Sequence, residues 1–85
     1  MAQKEPSTKT GRTIVYTHPT CGYCDLLKED FAARGLEYDE IDVSVRPEAW
    51  SEVERLTGGE KITPVTVMAD GEVQVGYKGI GCNYG

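Results

Sequence analysis

The chain has 85 residues and a formal net charge of −5, which fits one small domain and excludes several classes of protein. An acidic chain without a basic cluster binds phosphate backbones poorly, so we expect no nucleic-acid partner. No stretch approaches the ~18 apolar residues of a membrane span, and the N-terminus lacks the apolar core of a signal peptide. Three cysteines are too few for a disulfide-stabilised scaffold. We therefore expect a soluble, monomeric, cytoplasmic protein with no membrane partner.

Composition divides the chain into three parts. Residues 1–12 are polar and lack periodicity, which predicts a disordered tail. Residues 13–79 carry alternating strand and helix patterns and form the predicted domain. Residues 80–85 end a stretch in which four of ten residues are glycine, and they are predicted to be a flexible tail.

The first predicted elements are a strand and a helix. Residues 13–17 are β-branched and aromatic, which predicts a short buried strand. The helix is predicted to begin at Cys21, with Thr20 as its N-cap and Gly35 as the glycine that ends it. Its apolar residues recur at helical spacing, and they include Leu27 and Phe31.

A second strand and helix follow, and then a hairpin. Residues 36–43 alternate between apolar and acidic side chains, which predicts a strand with a solvated rim of acids. The second helix is predicted to start at Pro47 and to stop at Gly58. Residues 64–75 predict two antiparallel strands joined at Asp70-Gly71. The order β-α-β-α-β-β predicts an α/β fold in which the helical crossovers favour parallel pairing.

The strongest chemical signal is Cys21-Gly22-Tyr23-Cys24, between the first strand and the first helix. Two thiols at this spacing can close a short disulfide ring across the first helical turn. The first sulfur then lies near unpaired N–H groups, where thiolate is favoured and cysteine pKa values fall from about 8.5 to ~3.5–7.5. We predict Cys21 as the nucleophile, Cys24 as the resolving thiol, and Cys21–Cys24 as the redox-active disulfide. Tyr23 is a candidate substrate contact.

This motif, with Ile62-Thr63-Pro64 before the hairpin and Gly76 after it, makes residues 13–79 resemble a glutaredoxin of the thioredoxin superfamily. The motif and residues 58–64 look closest to bacterial redoxins such as mycoredoxins and the electron donors of ribonucleotide reductase. The resemblance implies a thioredoxin-like fold, with helices packed on a four-stranded mixed sheet. The usual closing helix is predicted to be missing, because residues 79–85 are too glycine-rich to form one.

The resemblance also implies a function. It is that of a thiol–disulfide oxidoreductase, an electron carrier in cell redox homeostasis that reduces protein disulfides or mixed disulfides without a bound cofactor or metal. Its partners would be a disulfide substrate and a reductant, either glutathione as co-substrate or a flavoprotein reductase. The family's Thr-Pro bond is cis, so we expect Thr63–Pro64 to be cis and the Thr63 backbone to be free for an incoming peptide or thiol.

The sequence departs from the glutathione-using members at two places. His18 stands where they carry Lys or Arg, and Gly76-Tyr77-Lys78 stands where they carry a glycine pair followed by acids. Lys78 would repel the amino group of glutathione. The candidate substrate-binding residues are therefore His18, Tyr23, Thr63, Pro64, Gly76 and Tyr77.

Two questions stay open at this point. Cys82 is interpreted as a third redox thiol, a site of glutathionylation or dimerisation, or a spectator thiol. The alternative function is a metal-binding module: Cys21 and Cys24 with Cys82 or His18 could hold zinc, or Cys21 with external thiols could bridge an iron–sulfur cluster between two chains.

Overall fold

A computed structural model describes residues 12–84, so the disordered tail predicted for residues 1–12 lies outside the described residues except for Arg12. The elements in chain order are β1 Ile14–Thr17, α1 Gly22–Ala33, β2 Asp39–Asp42, α2 Ala49–Thr57, β3 Ile62–Thr63, β4 Val65–Val67, β5 Val73–Val75 and β6 Cys82–Asn83. The predicted α/β architecture is confirmed. No helix follows α2 within residues 58–84, where the closing helix was predicted to be missing.

β1 lies inside the main sheet, whose strand order is β2-β1-β4-β5. It pairs in parallel with β2 and antiparallel with β4, and β4 pairs antiparallel with β5. The parallel pairing expected from the helical crossovers is therefore right for the crossover through α1 and wrong for the one through α2. After α2 the chain enters the sheet through β3 and Pro64, and β4 then runs beside β1 in the opposite direction.

Successive residues of a strand point to opposite faces, and each face of the sheet is covered by one helix. Val15 packs on one face with Leu27 and Phe31 of α1. Tyr16 packs on the other face in a second cluster, which α2 covers through Val53 and the partly buried Trp50. The predicted core positions Leu27 and Phe31 are confirmed, and their packing against Val15 holds α1 on β1.

The helix ends differ slightly from the prediction. α1 has Cys21 as its N-cap, in an extended conformation with φ −96° and ψ 112°, so the prediction of Thr20 as N-cap is wrong. Gly35 ends the helix with φ 70°, as predicted. α2 begins at Ala49 rather than at Pro47, and it ends at the left-handed Gly58.

The end of the chain differs most from the prediction. β6 pairs antiparallel with β3, so residues predicted to be a flexible tail contain a paired strand. Backbone hydrogen bonds to β3 and a bond from Cys82 hold this segment against the domain. Neither helix of the described part of the chain has the length and apolar character that crossing a bilayer requires.

Candidate active site

Cys21 is held at the start of α1 by the turn that leaves β1. Its N–H donates to the carbonyl of His18 at 3.1 Å, and its own carbonyl accepts from the N–H of Cys24 at 3.1 Å. This places the Cys21 sulfur at the end of α1 where the N–H groups are unpaired. The sulfur makes no capping hydrogen bond in this state, because it is engaged in a disulfide.

The partner of Cys21 is Cys82. The two residues are joined in a disulfide with Cα atoms 5.8 Å apart, across a sequence separation of 61. Cys24 is a free, buried thiol. The disulfide present therefore differs from the Cys21–Cys24 bridge predicted from the motif. The physical reason is the pairing of β6 with β3, which brings Cys82 beside Cys21.

Cys24 lies one turn deeper in α1 and is 1% exposed, as Cys21 also is. Burial raises the pKa of the Cys24 thiol, because an apolar environment disfavours the thiolate. The N–H of His18 points at the Cys24 sulfur from 3.4 Å and opposes this effect, as do the Thr63 hydroxyl and the charge of Lys28. The Cys24 sulfur is therefore held mainly as a thiol.

A polar network that the sequence reasoning missed lies beside this helix. Glu40 accepts a hydrogen bond from the Thr17 hydroxyl at 2.7 Å and pairs with Lys28 at 3.0 Å. Burial opposes ionisation of Glu40, but these two partners outweigh it and lower the pKa of the carboxyl. Glu40 is exposed on β2, as the predicted rim of acids implies, but its pairing with Thr17 and Lys28 was not predicted. No local pattern in the sequence signals this network.

The Thr63–Pro64 peptide bond is cis, as expected, and it faces Cys21. The carbonyl oxygen of Thr63 lies 3.5 Å from the Cys21 sulfur, and Thr63 pairs with Cys82 in the register of β3 and β6. The N–H of Gly76 donates to the carbonyl of Pro64 at 2.7 Å. Any side chain at Gly76 would meet the backbone of Ile80, whose oxygen would lie 2.7 Å from its Cβ.

The other candidate residues divide into two groups. The His18 ring stacks on Tyr84 with centroids 4.2 Å apart, and its Nδ1 accepts from the N–H of Thr20 at 3.2 Å. Tyr23 is exposed beside the cysteines on α1. Tyr77, in contrast, packs against the buried cluster under α1. The structure thus places His18 beside Cys24 and Thr63 beside Cys21, and it packs Tyr77 against the core under α1.

The residues considered for zinc do not form a ligand set. Within residues 12–84 no three His, Cys, Asp or Glu side chains converge in a way that could hold a metal ion. A tetrahedral site needs four ligands, and two of the candidates, Cys21 and Cys82, are bonded to each other. The same bond occupies the sulfur that a shared iron–sulfur cluster would require.

Comparison with known proteins places the chain in a family. The glutaredoxin family model matches residues 13–73. A protein of Mycobacterium tuberculosis whose name classes it as a glutaredoxin is 36% identical over 62 residues, which cover 73% of this chain and 74% of that protein. A glutaredoxin of Neisseria meningitidis is 36% identical over 63 residues, covering 73% of this chain and 71% of the relative. This chain belongs to the glutaredoxin family.

Membership confirms the predicted resemblance and the thioredoxin-like fold, and it supports a thiol–disulfide oxidoreductase that acts on a protein or glutathione substrate with a reductant. The gene 56 protein of mycobacteriophage L5 is also similar, at 31% identity over 64 residues, which cover 75% of this chain and 61% of the phage protein. The family match ends at residue 73, so Gly76, Tyr77 and Cys82 lie beyond it.

Proposed function

We propose that the chain is a dithiol electron carrier in which Cys21 attacks a disulfide and Cys24 resolves the product. The observation that carries the proposal is the state of the three sulfurs. Cys21, at the start of α1, holds another sulfur in a disulfide, while Cys24 remains a free thiol one turn deeper. This is the arrangement that a mixed-disulfide intermediate of such a carrier requires.

The chemistry takes two exchange steps. The Cys21 thiolate attacks one sulfur of a substrate disulfide; a Cys21–substrate bond forms, and the other substrate sulfur leaves as a thiolate and takes a proton. Cys24 then loses its proton and attacks the sulfur of Cys21, so that a Cys21–Cys24 bond forms and the second substrate thiol leaves. Two electrons and two protons pass to the substrate, and a reductant returns them. The low pKa predicted for Cys21 stays a prediction.

The surroundings of Cys21 favour an extended peptide as substrate. The backbone of β3 pairs with an extended strand at Thr63, beside the nucleophile, as β6 shows. An extended substrate peptide could pair there in the same way, and such recognition depends little on side chains. A small thiol such as glutathione would use the same backbone, with His18 in place of the cationic residue of glutathione-using members. We therefore infer that protein disulfides are the main substrates. Glutathione or a flavoprotein reductase then reduces the oxidised carrier again.

The test compares two substrates and two variants. The purified chain is assayed for reduction of a glutathione mixed disulfide and of a protein disulfide, with glutathione plus its reductase or with a thioredoxin-reductase-type flavoprotein. Cys21→Ser should abolish both reactions, because no nucleophile remains. Cys24→Ser in a Cys82→Ser background, where no second thiol remains beside Cys21, should keep reduction of the mixed disulfide, which needs only one thiol, and lose reduction of the protein disulfide.

Glu29→Gln is the control, since Glu29 lies exposed on α1 and its charge is removed without touching a thiol. It should resemble the unmodified chain with both substrates. Full activity of Cys21→Ser with either substrate would reject Cys21 as the nucleophile and the proposal with it.

A further inference from the structure

The C-terminal segment, residues 80–84, lies where the proposed function needs an incoming peptide. Thr63 pairs with Cys82 and Ile62 pairs with Asn83 in the antiparallel register of β3 and β6. The N–H of Tyr84 extends this pairing by donating to the carbonyl of Lys61 at 2.7 Å. The chain therefore uses on itself the backbone groups that were expected to be free for a substrate.

A close backbone approach permits this docking. A Cβ built on Gly81 would lie 2.5 Å from the carbonyl oxygen of Thr63 and 3.1 Å from the Ile62 side chain. A non-glycine residue at position 81 would therefore push the segment away from β3. Two residues before it, Gly79 has φ 84°, within the turn that reverses the chain after Tyr77.

A second contact fixes the end of the segment. The Tyr84 ring stacks on His18 with an interplanar angle of 20°, and it also lies 5.8 Å from the ring of Trp50. The Tyr84 hydroxyl is 2.9 Å from the hydroxyl of Thr20. Ring stacking and this hydrogen bond add to the pairing with β3, so the position of Cys82 is set on both sides.

We propose that Cys82 is a third redox cysteine, which takes over the disulfide from Cys21–Cys24 and leaves the oxidised protein with its own C-terminal segment in the peptide site. The proposal rests on the proposed function, because that function supplies the Cys21–Cys24 disulfide. It concerns residues beyond the part of the chain that the family match covers.

The step is an exchange without net oxidation. The thiolate of Cys82 attacks the sulfur of Cys21; the Cys21–Cys82 bond forms, the Cys21–Cys24 bond breaks, and Cys24 takes the proton that Cys82 lost. Burial raises the pKa of the Cys24 thiol, which favours the state in which Cys24 is protonated and Cys21 is bonded to Cys82. Cys82 is less buried than Cys21, so a reductant thiolate attacks the sulfur of Cys82 and frees Cys21.

The test locates the disulfide chemically. The reduced chain is equilibrated with oxidised and reduced glutathione, quenched with acid, alkylated, and digested with trypsin without reduction. Residues 13–28 carry Cys21 and Cys24 in one peptide, and residues 79–85 carry Cys82 in another. We expect the oxidised chain to give these two peptides linked to each other with one alkylated thiol. Full alkylation of the 79–85 peptide in the oxidised chain would overturn the proposal.

Two variants assign the bond. Cys24→Ser should still link the peptides, because only Cys21 remains as partner, and Cys21→Ser should not. Linkage in Cys21→Ser equal to that of the unmodified chain would mean a Cys24–Cys82 bond and would also overturn the proposal. The proposal would also be overturned if Cys24→Ser kept glutathione bound to Cys21 while Cys82 was alkylated, because Cys82 would then not have attacked Cys21.

A third comparison tests docking. Gly81→Ala should lower the ratio of linked to unlinked chain about five- to hundredfold at a fixed glutathione ratio, as expected if the clash with Thr63 resembles overpacking by one methyl group. Ile80→Ala removes an exposed side chain one residue earlier and should stay within about twofold. Equal linkage in Gly81→Ala and Ile80→Ala would contradict docking through β3.

The same samples separate the two proposals. If the unmodified chain reduces a glutathione mixed disulfide while its 79–85 peptide stays alkylated, the role of Cys82 fails and the proposed function stands. If Cys21 forms no disulfide with glutathione, Cys24 or Cys82 in any sample, the proposed function itself fails.

Discussion

The first turn of α1 and the C-terminal segment meet at one disulfide, but they are held in place by different forces. The start of α1 is fixed by a 12-residue helix whose Leu27 and Phe31 are 4% and 2% exposed in the core. The C-terminal segment is held at the surface, by pairing with a two-residue strand, by the ring of Tyr84 and by the bond of Cys82. The site therefore has a fixed half, the first turn of α1, and a removable half, residues 80–84, which can leave when the Cys21–Cys82 bond is reduced.

This difference can be tested first at the core. Phe31→Ala should lower the free energy of unfolding of the reduced chain by about 3–5 kcal/mol, because it leaves a cavity under α1. Ile80→Ala, in the C-terminal segment, should change it by less than about 0.5 kcal/mol. Urea denaturation of the reduced proteins measures both. Similar losses in the two variants would show that the segment belongs to the cooperative core.

The second test compares the two possible disulfides by the loops they close. A bridge across 61 residues should stabilise the chain by about 4 kcal/mol over its reduced form, and the short Cys21–Cys24 loop by about 2 kcal/mol or less. The oxidised chain should therefore exceed oxidised Cys82→Ser by about 2 kcal/mol in denaturant unfolding. Equal stability of the two oxidised proteins would indicate that both carry the short bridge.

The sequence predicts the fixed half of the site well because its signals are local. A β-branched strand, a turn and two cysteines ahead of an amphipathic helix are close together in the chain, and each implies its own structure. Gly35 and the core positions Leu27 and Phe31 follow from the same patterns. The cis bond before Pro64 came from the family resemblance rather than from the residues alone.

The removable half could not be predicted because its structure depends on distant residues. Residues 80–84 are poor in strand-forming side chains, and only contact with Thr63 and Lys61 makes Cys82–Asn83 a strand. The available signal was the unpaired third cysteine, which left several interpretations open. The partners of Glu40, Thr17 and Lys28, could not be predicted for the same reason, since they lie near it in space and not in sequence.

The third test concerns Thr63, where the two halves touch. The hydroxyls of Thr63 and Thr66 are both buried and make no close hydrogen bond among the described residues, although the Thr63 hydroxyl lies near enough to the Cys24 sulfur to favour its thiolate. Replacing either by Val should raise the free energy of unfolding by about 1 kcal/mol, because a buried unpaired polar group is removed. Only Thr63→Val should raise the pKa of Cys24 further, since the Thr63 hydroxyl favours its thiolate.

The pKa is measured from thiolate absorbance in a Cys21→Ser, Cys82→Ser background, where Cys24 is the remaining thiol. The folded pKa of Cys24 lies above its ordinary value, so the associated stability is complete below that ordinary value and is lost as the pH rises through the folded pKa. Thr63→Val should move that loss to higher pH. An equal shift in Thr66→Val would mean that general repacking, and not the Thr63 hydroxyl, controls Cys24.

The smallest expected effect comes from Tyr84, and it separates the contacts that hold the removable half. Tyr84→Phe removes the hydrogen bond to Thr20 and keeps the ring, whereas Tyr84→Leu also removes the stacking on His18. Each contact is worth about 0.5–1.5 kcal/mol, so the ratio of linked to unlinked Cys82 in a fixed glutathione buffer should fall about two- to tenfold in Tyr84→Phe and further in Tyr84→Leu. The free energy of unfolding of the reduced chain should barely change, because the Tyr84 ring is 36% exposed and lies outside both core clusters. A large loss of stability with no change in linkage would reverse this assignment: Tyr84 would then support the domain, and the pairing of β6 with β3 alone would position Cys82.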